Sequence, residues 1–384
     1  MRSHQINIDW LTCNQTFESD LGYVGEFIVQ RRRIQDTKVV FSTVTGYKHP
    51  GSFDTNLRIK VDGNRMEVSG NPSHFNRLDN VYGYSSVIQC IEEVYNPVLR
   101  DMDLPEFSCK NDLQLWWPQP DKEGLVWEGC NISRVDLTRN YSLGSESQVL
   151  PFLRWLGAQN DRLKAHLFPN GATVEWGGKT ASRTGHGTKY VYRKCYNKAV
   201  EYGMKLDQLL KNDRSMTESD WKYVEELYKW LENSGVVRFE VGLKSRFLRQ
   251  KDSYLPFVLD SKKEEFFDQY AEVLKTAEDV EIEEGDNLAS ALVGLNDGQT
   301  IISEKKAIEL IGYYEAWKTG VDLKKKLKRA TFYRVRKVFK MIGIDLSAVP
   351  NVVAMPVHVR TFELREVAPP SFYRGVGQND KKFA

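Results

Sequence analysis

The chain has 384 residues, 41% apolar and 28% charged, with a net charge of only +2, enough for two or three ordinary domains. No apolar run approaches the roughly 18–20 residues that cross a bilayer, and the N-terminus MRSHQINIDWL has no apolar h-region, so neither a membrane span nor secretion is expected. Five scattered cysteines (Cys13, Cys90, Cys109, Cys130, Cys195) include no CxxC pair, which argues for a reduced, cytosolic protein without a disulfide framework or structural zinc.

The first 70 residues read as short strands. INIDWLT (6–12) alternates around Ile6, Ile8, Trp10 and Thr12, and FIVQ (27–30), KVVFSTV (38–44), TNLRIKV (55–61) and RMEVSG (65–70) follow. Such period-two runs predict an antiparallel sheet. Between 84 and 100 the period changes to helical, with Val87, Ile88, Ile91, Val94 and Val98 on one face and Ser86 and Gln89 spaced as a capping box. Pro97 should kink or end that helix. NISRVDLTRNY (131–141) predicts a strand, and SESQVLPFLRWL (145–156) a helix. ATVEW (172–176) and TKYVYRK (188–194) predict strands around the Gly-rich loop 177–187. Helices follow at about 196–211 and 217–233. In VVRFEVGLKSRF (236–247), a strand, Arg238, Glu240 and Gly242 share one face and Phe239, Val241 and Leu243 the other. From about 255 the texture is helical, at 262–278, 303–319 and 322–342, before a last strand at 351–364. The acidic segment 276–300 reads as a linker or surface loop.

Two sets of residues point to chemistry. In KYVYRKCYNKAVEY (189–202), Tyr192 and Tyr196 are four apart and Lys198 lies two beyond the second. A helix starting near Tyr192 would put both phenols one turn apart on one face. A start at Tyr196, the preferred reading, would put that phenol at a helix N-terminus, where phosphate is favoured. A tyrosine nucleophile needs to lose its proton and needs a cation for the developing charge, a role open to Lys198. Asp136 and Glu240 are acids inside apolar strands, each with an arginine two residues before it, Arg134 and Arg238. Buried strand carboxylates call for a partner. Either each pairs with its arginine, or the two meet on one face as oxygen ligands for Mg²⁺ or Mn²⁺. The six histidines are isolated, with His186 alone kept as a candidate, and no GxxxxGK[ST], GxSxG or HExxH occurs.

These residues lie in stretches that resemble a known family, the replication initiators of filamentous phages (the gene II protein of coliphages and the RstA protein of the cholera-toxin phage). The stretches are INIDWLT, EVSGNPSHFNRLDNVYG (67–83), NISRVDLT, ATVEW, KCYNKAVEY, GVVRFEVGLKSRFL (235–248) and NVVAMPVHVR (351–360), in family order along nearly the whole chain. The resemblance implies a sequence-specific nickase and strand transferase acting on supercoiled double-stranded origin DNA and on single strands, and the chemistry of its carboxylates adds a metal. Such an enzyme forms a 5′-phosphotyrosine link, frees a 3′-OH that primes rolling-circle synthesis, and later rejoins the strand. It also implies a host helicase and polymerase as partners, and the host cytoplasm as the location. Tyr196 matches the family's nucleophile position and Lys198 the lysine beside it. Asp136 and Glu240 match the acidic strand positions, and Asp9 matches an acid of the first strand, a third ligand. Tyr192 is either a second nucleophile or a structural tyrosine. The wider nuclease class is named for a His-hydrophobic-His motif that this chain lacks, so carboxylates would have to serve as ligands.

Residues 324–340 hold nine Lys or Arg and no acid, an electrostatic footprint for phosphate. Segment 303–345 reads as helix, turn, basic helix, similar to a helix-turn-helix unit, with Thr331, Arg334 and Lys337 spaced for a groove. Lys324, Lys325, Lys326, Lys328, Arg329, Arg336 and Lys340 complete the expected DNA-binding set. The expected fold is α+β: a catalytic domain over 1–250, with an antiparallel sheet and packed helices like the split ferredoxin-like rolling-circle nucleases, then a mostly helical DNA-binding part over 255–384. The rival functions are a non-catalytic origin-binding regulator, and a plasmid rolling-circle initiator or relaxase.

Overall fold

The computed structural model describes residues 6–32, 39–110, 113–119, 122–127, 129–159, 165–178, 188–212, 216–275, 302–318, 320–342, 344–347 and 362–376, with isolated positions at 35, 163, 288, 292, 293 and 295. The body is a large antiparallel sheet with packed helices. Its strands run side by side in the order Ala165–Leu167, Thr173–Trp176, Val191–Asn197, Val236–Lys244, Asn131–Ser142, Asn7–Thr16, Arg65–Gly70, Asn56–Asp62 and Tyr23–Val24. Two short strands join it, Tyr47–Pro50 and Arg365–Glu366. Two hairpins stand apart from it, Ile28–Arg32 with Val39–Val44, and Leu113–Gln119 with Lys122–Trp127.

Alternation along the central strands separates an apolar face from a polar one. Val237, Phe239, Val241 and Leu243 lie in the main core with Val135, Leu137, Val191 and Cys195. Four helical elements cover that face: the run from Val87 to Asp101, Glu146–Ala158, Ser245–Gln250 and Pro256–Lys275. The helices Lys198–Asn212 and Glu218–Asn233 pack with Leu78, Val81 and Val236 in a second cluster.

The first strand departs from its expected alternation. Ile6 and Ile8 are core residues, but so are Leu11 and Cys13. The register slips between Ile8 and Trp10, so Asp9 is an extra residue in the ladder. This bulge reverses the parity and puts Trp10 opposite Asp136. The run from Val87 does not stop at Pro97 either. A π turn at Ile91–Tyr95 runs directly into Asn96–Asp101, and such a local widening accommodates a proline that lacks an N–H within a continuous helix. Ser86 caps this run as expected. Asp260 reinforces the cap, accepting from the Ser86 hydroxyl (2.7 Å) and the Val87 N–H (2.8 Å).

The apolar clusters distribute the later segments as follows. Helix Pro256–Lys275 belongs to the main core, through Leu259, Phe266 and Phe267. Phe362 and Leu364 return to the same core, and Tyr373 packs beside the second cluster. Between them lies a separate apolar cluster built from Leu310, Tyr314, Leu323, Phe332, Val335 and Phe339, among others. The predicted strand 351–364 falls outside the described residues up to 361, as do the acidic segment 276–287 and the loop positions 179–187 with His186; residues 362–364 are not strand. Among the described residues no helix is long and apolar enough to cross a membrane.

Asp260→Ala removes two acceptors from the start of the Val87 helix, so it should destabilise the fold by about 1–2 kcal/mol. Urea unfolding with an unchanged m-value would register this.

Candidate active site on the polar sheet face

Four adjacent strands set the site's register. Tyr192 lies beside Gly242, which lies beside Asp136, which lies beside Trp10. In the next rows, Lys194 faces Glu240, and Tyr196 faces Arg238, itself opposite Asn140. Directly opposed residues of neighbouring strands sit about 4.5–5.5 Å apart. The register therefore gathers residues separated by more than 100 positions in sequence. Gly242 is required here, because a Cβ at that position would collide with the Tyr192 ring.

One end of this face is a carboxylate pole. The Tyr192 hydroxyl lies 2.5 Å from Asp136 Oδ2 and 2.7 Å from Glu240 Oε1. A phenol has one proton to donate, so the two acids compete for it. Burial and the neighbouring Asp136 push Glu240 up to about 7. Burial also raises Asp136, against the pull of Arg134. Tyr192 is held well above its ordinary value by burial and both acids. Arg134 grips Asp136 from Nε (3.0 Å) and Nη2 (2.5 Å) and donates to the Tyr192 hydroxyl at 3.1 Å. Its guanidinium stands 5.0 Å from the Trp10 ring.

The other end is a cationic pole. The Asn197 side chain accepts from the Val200 N–H at 3.1 Å, so the helix begins at Lys198. Tyr196 is therefore a strand residue, not the first residue of a helix, which corrects the expected start. The two tyrosines share a face as strand positions four apart, about 13 Å of chain rather than one helical turn. Tyr196 is 5% exposed, with Lys194 Nζ 4.5 Å and Lys198 Nζ 6.0 Å from its ring centre. Burial keeps its phenol protonated, against the attraction of Arg238.

Lys198 is fully buried. Its ammonium reaches Asn80 Oδ1 (2.9 Å) and Glu201 Oε2 (2.6 Å). Burial, with Arg238 nearby, brings it down to about 7. Lys205 binds the same glutamate at 2.7 Å. Burial works against the Glu201 charge, but the two lysines outweigh it and hold the acid low.

The alternatives left open for the two arginine–acid pairs resolve differently. Arg134 does pair with Asp136. Arg238 instead reaches Asp9 at 3.3 Å and bonds Asn140 and the carbonyls of Asn80 and Val81. Asp9 also accepts from Asn71 (3.0 Å) and Asn80 (2.7 Å). Burial raises Asp9, but Arg238 and Lys198 more than offset this. The converging carboxylates are thus Asp136 and Glu240, and Asp9 is held at the cationic pole. Among the described residues no cluster of three or more His, Cys, Asp or Glu side chains is arranged to hold a metal. Asp136 and Glu240, joined through the Tyr192 hydroxyl, are oxygen donors of the kind a hard cation takes, one that would complete its shell with water and phosphate oxygens.

Sequence reasoning missed several members. Asn71, His74 and Asn80 come from a stretch singled out only for its resemblance. Burial lowers His74 to about 3, and Lys205, Lys198 and Asp9 act on it. Glu201 and Lys205 fall three and seven residues after Lys198, a helical spacing that was legible.

The basic tract forms two helices rather than one. Asp322 caps Leu323–Lys326, Leu327 is extended, and Arg329–Met341 follows. Lys324, Lys325, Lys326, Lys328, Arg329 and Lys337 are exposed or partly so, and Thr331 and Arg334 half-buried. Arg336 (2.8 Å) and Lys340 (3.6 Å) are both engaged with Asp345, which lowers their value for phosphate.

Comparison with known proteins adds the following. The N-terminal family of the phage replication-associated protein (gene II protein) matches residues 7–283, and the C-terminal family of the same protein matches 296–377. A replication-associated protein of Escherichia phage If1 is 29% identical over 330 residues, 83% of this chain and 97% of that one. Another, of Enterobacteria phage I2-2, is 24% identical over 351 residues, 87% of this chain and 86% of that one. No solved structure matches the chain.

A raised carboxyl makes a sign-definite prediction. Glu240 binds its proton more tightly folded than unfolded, so the stability it contributes is fully present below about pH 4.5. That stability is lost as pH rises toward 7, by up to about 1.4 kcal/mol per pH unit. Glu240→Gln should flatten the melting temperature between pH 5 and 7 relative to wild type. Parallel curves would show that the acid is ionised throughout.

Proposed function

Because the chain belongs to the family of phage replication-associated proteins, replication initiators whose partner is DNA, we propose that it nicks one strand of its phage origin by tyrosine attack and later rejoins the displaced strand. The observation that supports this reading is the single polar sheet face that carries Tyr196, Tyr192, Asp136 and Glu240, with Lys198 at the start of the next helix 6.0 Å from the Tyr196 ring. Tyr196 Oη attacks phosphorus, the P–O3′ bond breaks, and a 5′-phosphotyrosine forms. Lys198, poised near neutrality, takes the phenolic proton and returns it to the leaving 3′-oxygen. Lys194 and Arg238 favour the developing phenolate. Asp136 and Glu240 would hold Mg²⁺ or Mn²⁺, which polarises the phosphate. The free 3′-OH then serves as primer for a host polymerase while a host helicase unwinds the duplex ahead of it.

A second reading makes Tyr192 the attacking group. It is favoured by one observation: the Tyr192 hydroxyl is bonded to both acids. Supercoiled origin DNA from the encoding genome, incubated with protein and Mg²⁺ or Mn²⁺, separates the two. We expect a 5′-linked protein adduct that disappears in Tyr196→Phe and falls at least about 100-fold in Asp136→Ala. Loss in Tyr192→Phe alone would move the nucleophile. Origin binding with no adduct under either metal would leave a non-catalytic regulator.

The lysines of the basic tract supply phosphate contacts on this reading. Neutralising Lys324, Lys325 and Lys326 to Gln should reduce the slope of log K against log salt by up to about 3. Measurement by fluorescence anisotropy at several salt concentrations would show this, and an unchanged slope would place the DNA elsewhere.

A further inference from the structure

The loop 71–82 carries the Asn-Pro-Ser…Asp-Asn-Val-Tyr stretch, and the proposed chemical step uses none of it. Its backbone is clamped from three sides. Asp79 accepts from Tyr223 (2.8 Å) and Tyr373 (2.6 Å), and from the Val81 N–H (2.9 Å). Arg77 donates to the carbonyls of Ser73 and Tyr82. Arg238 donates to the carbonyls of Asn80 and Val81, and Asn140 to that of Val81. A loop fixed this firmly needs nothing from the Asn80 side chain.

That side chain is nevertheless buried, 5% exposed, and it bonds charged groups of the cationic pole. Nδ2 donates to Asp9 Oδ1 at 2.7 Å, while Oδ1 accepts from Lys198 Nζ at 2.9 Å and Lys205 Nζ at 3.2 Å. The partners fix the amide's orientation, since a carboxylate only accepts and an ammonium only donates. An aspartate here would press a second carboxylate on Asp9, and an alanine would leave both lysines and Asp9 without their shared partner. Asn80 is thus the neutral link that holds one acid and two lysines around Tyr196.

We propose that Asn80 is a positioning residue: its amide, anchored on Asp9, holds the Lys198 ammonium beside Glu201, in the place from which the lysine serves Tyr196. This rests on the nickase reading. The groups facing Lys198 are Glu201 and Lys205 of its own helix, Arg238 of the neighbouring strand, Asp9 of the first strand and His74 of the loop. A change at Asn80 alters that balance in a direction set by the new side chain. Aspartate adds a negative charge beside the ammonium and makes it hold its proton longer. Alanine removes an acceptor and makes it release the proton earlier.

Asn80→Asp and Asn80→Ala, in the full-length protein, test this by single-turnover adduct formation on an oligonucleotide spanning the nick site, across neutral pH. We expect each variant to lose roughly 10- to 100-fold in rate, with oligonucleotide affinity unchanged. The inflection near neutrality should move upward in Asn80→Asp and downward in Asn80→Ala. A merely structural role would lower the amplitude and leave the inflection where it was, and that result would overturn the proposal. So would a change confined to affinity. NMR titration of ¹³C-labelled lysine, with Lys198 assigned through Lys198→Arg, gives a readout independent of activity. If wild type forms no adduct, the nickase reading fails. The link from Asn80 to Lys198 then stands only if the lysine's midpoint moves in these opposite directions, and is overturned if it does not move.

Discussion

The guanidinium of Arg238 is 1% exposed, and its surroundings are built to satisfy it. An unpaired buried charge costs several kcal/mol, so each of its donors demands an acceptor. Asn140 answers from the neighbouring strand, Asp9 from the first strand, and the Asn80 and Val81 carbonyls from the loop. One cation thereby ties three separate parts of the chain to one point on the sheet. Asp9 follows the core residue Ile8 onto the polar face, and the bulge at Asp9 turns Trp10 onto that face as well. The apolar alternation of the central strands makes the platform, and the Arg238 network makes it a site.

The face that results is electrically divided. Asp136, Glu240 and the Tyr192 phenol form one end, where two acids crowd together, Arg134 offsetting the first and Lys194 the second. Lys198, Lys205 and Arg238 form the other, where three cations meet Asp9 and Glu201. On the proposed nickase reading, a scissile phosphate would bring negative charge and a metal ion positive charge. A surface with one pole for each lowers the cost of assembling both beside a phenol. Burial, more than this division, raises both tyrosines above their ordinary value. Burial outweighs Arg238 at Tyr196, and at Tyr192 the acids add to burial.

Much of this is legible in the strands. The Glu240 strand follows its period-two pattern residue for residue, because both of its faces are packed and a one-residue slip would bury Arg238 and Glu240 in the apolar core. The same alternation puts Asp136 and Glu240 on one face. Three features are not legible. A bulge leaves no signature in one short sequence, so nothing in INIDWLT announces the change of parity. The helix starts at Lys198, two residues after the expected position, and Asn197, a good cap, marks it; a tyrosine two residues earlier is the louder signal and the wrong one. Asn80 and His74 sit in a loop without periodicity, and only tertiary contacts with distant segments give them meaning.

The last described segment, residues 362–376, is bound into this arrangement. After the separate cluster around Phe332 and Phe339, residues 362–376 return to the main body, pairing Arg365–Glu366 with the Asp136 strand. Tyr373 then donates to Asp79, and Arg374 binds Asp220 at 2.6 Å. Asp79 is the residue before Asn80, so the loop that serves the cationic pole is held in part by the last described segment. The C-terminal segment completes the support of the sheet face, so the two matched family regions meet at one site from opposite ends of the sequence.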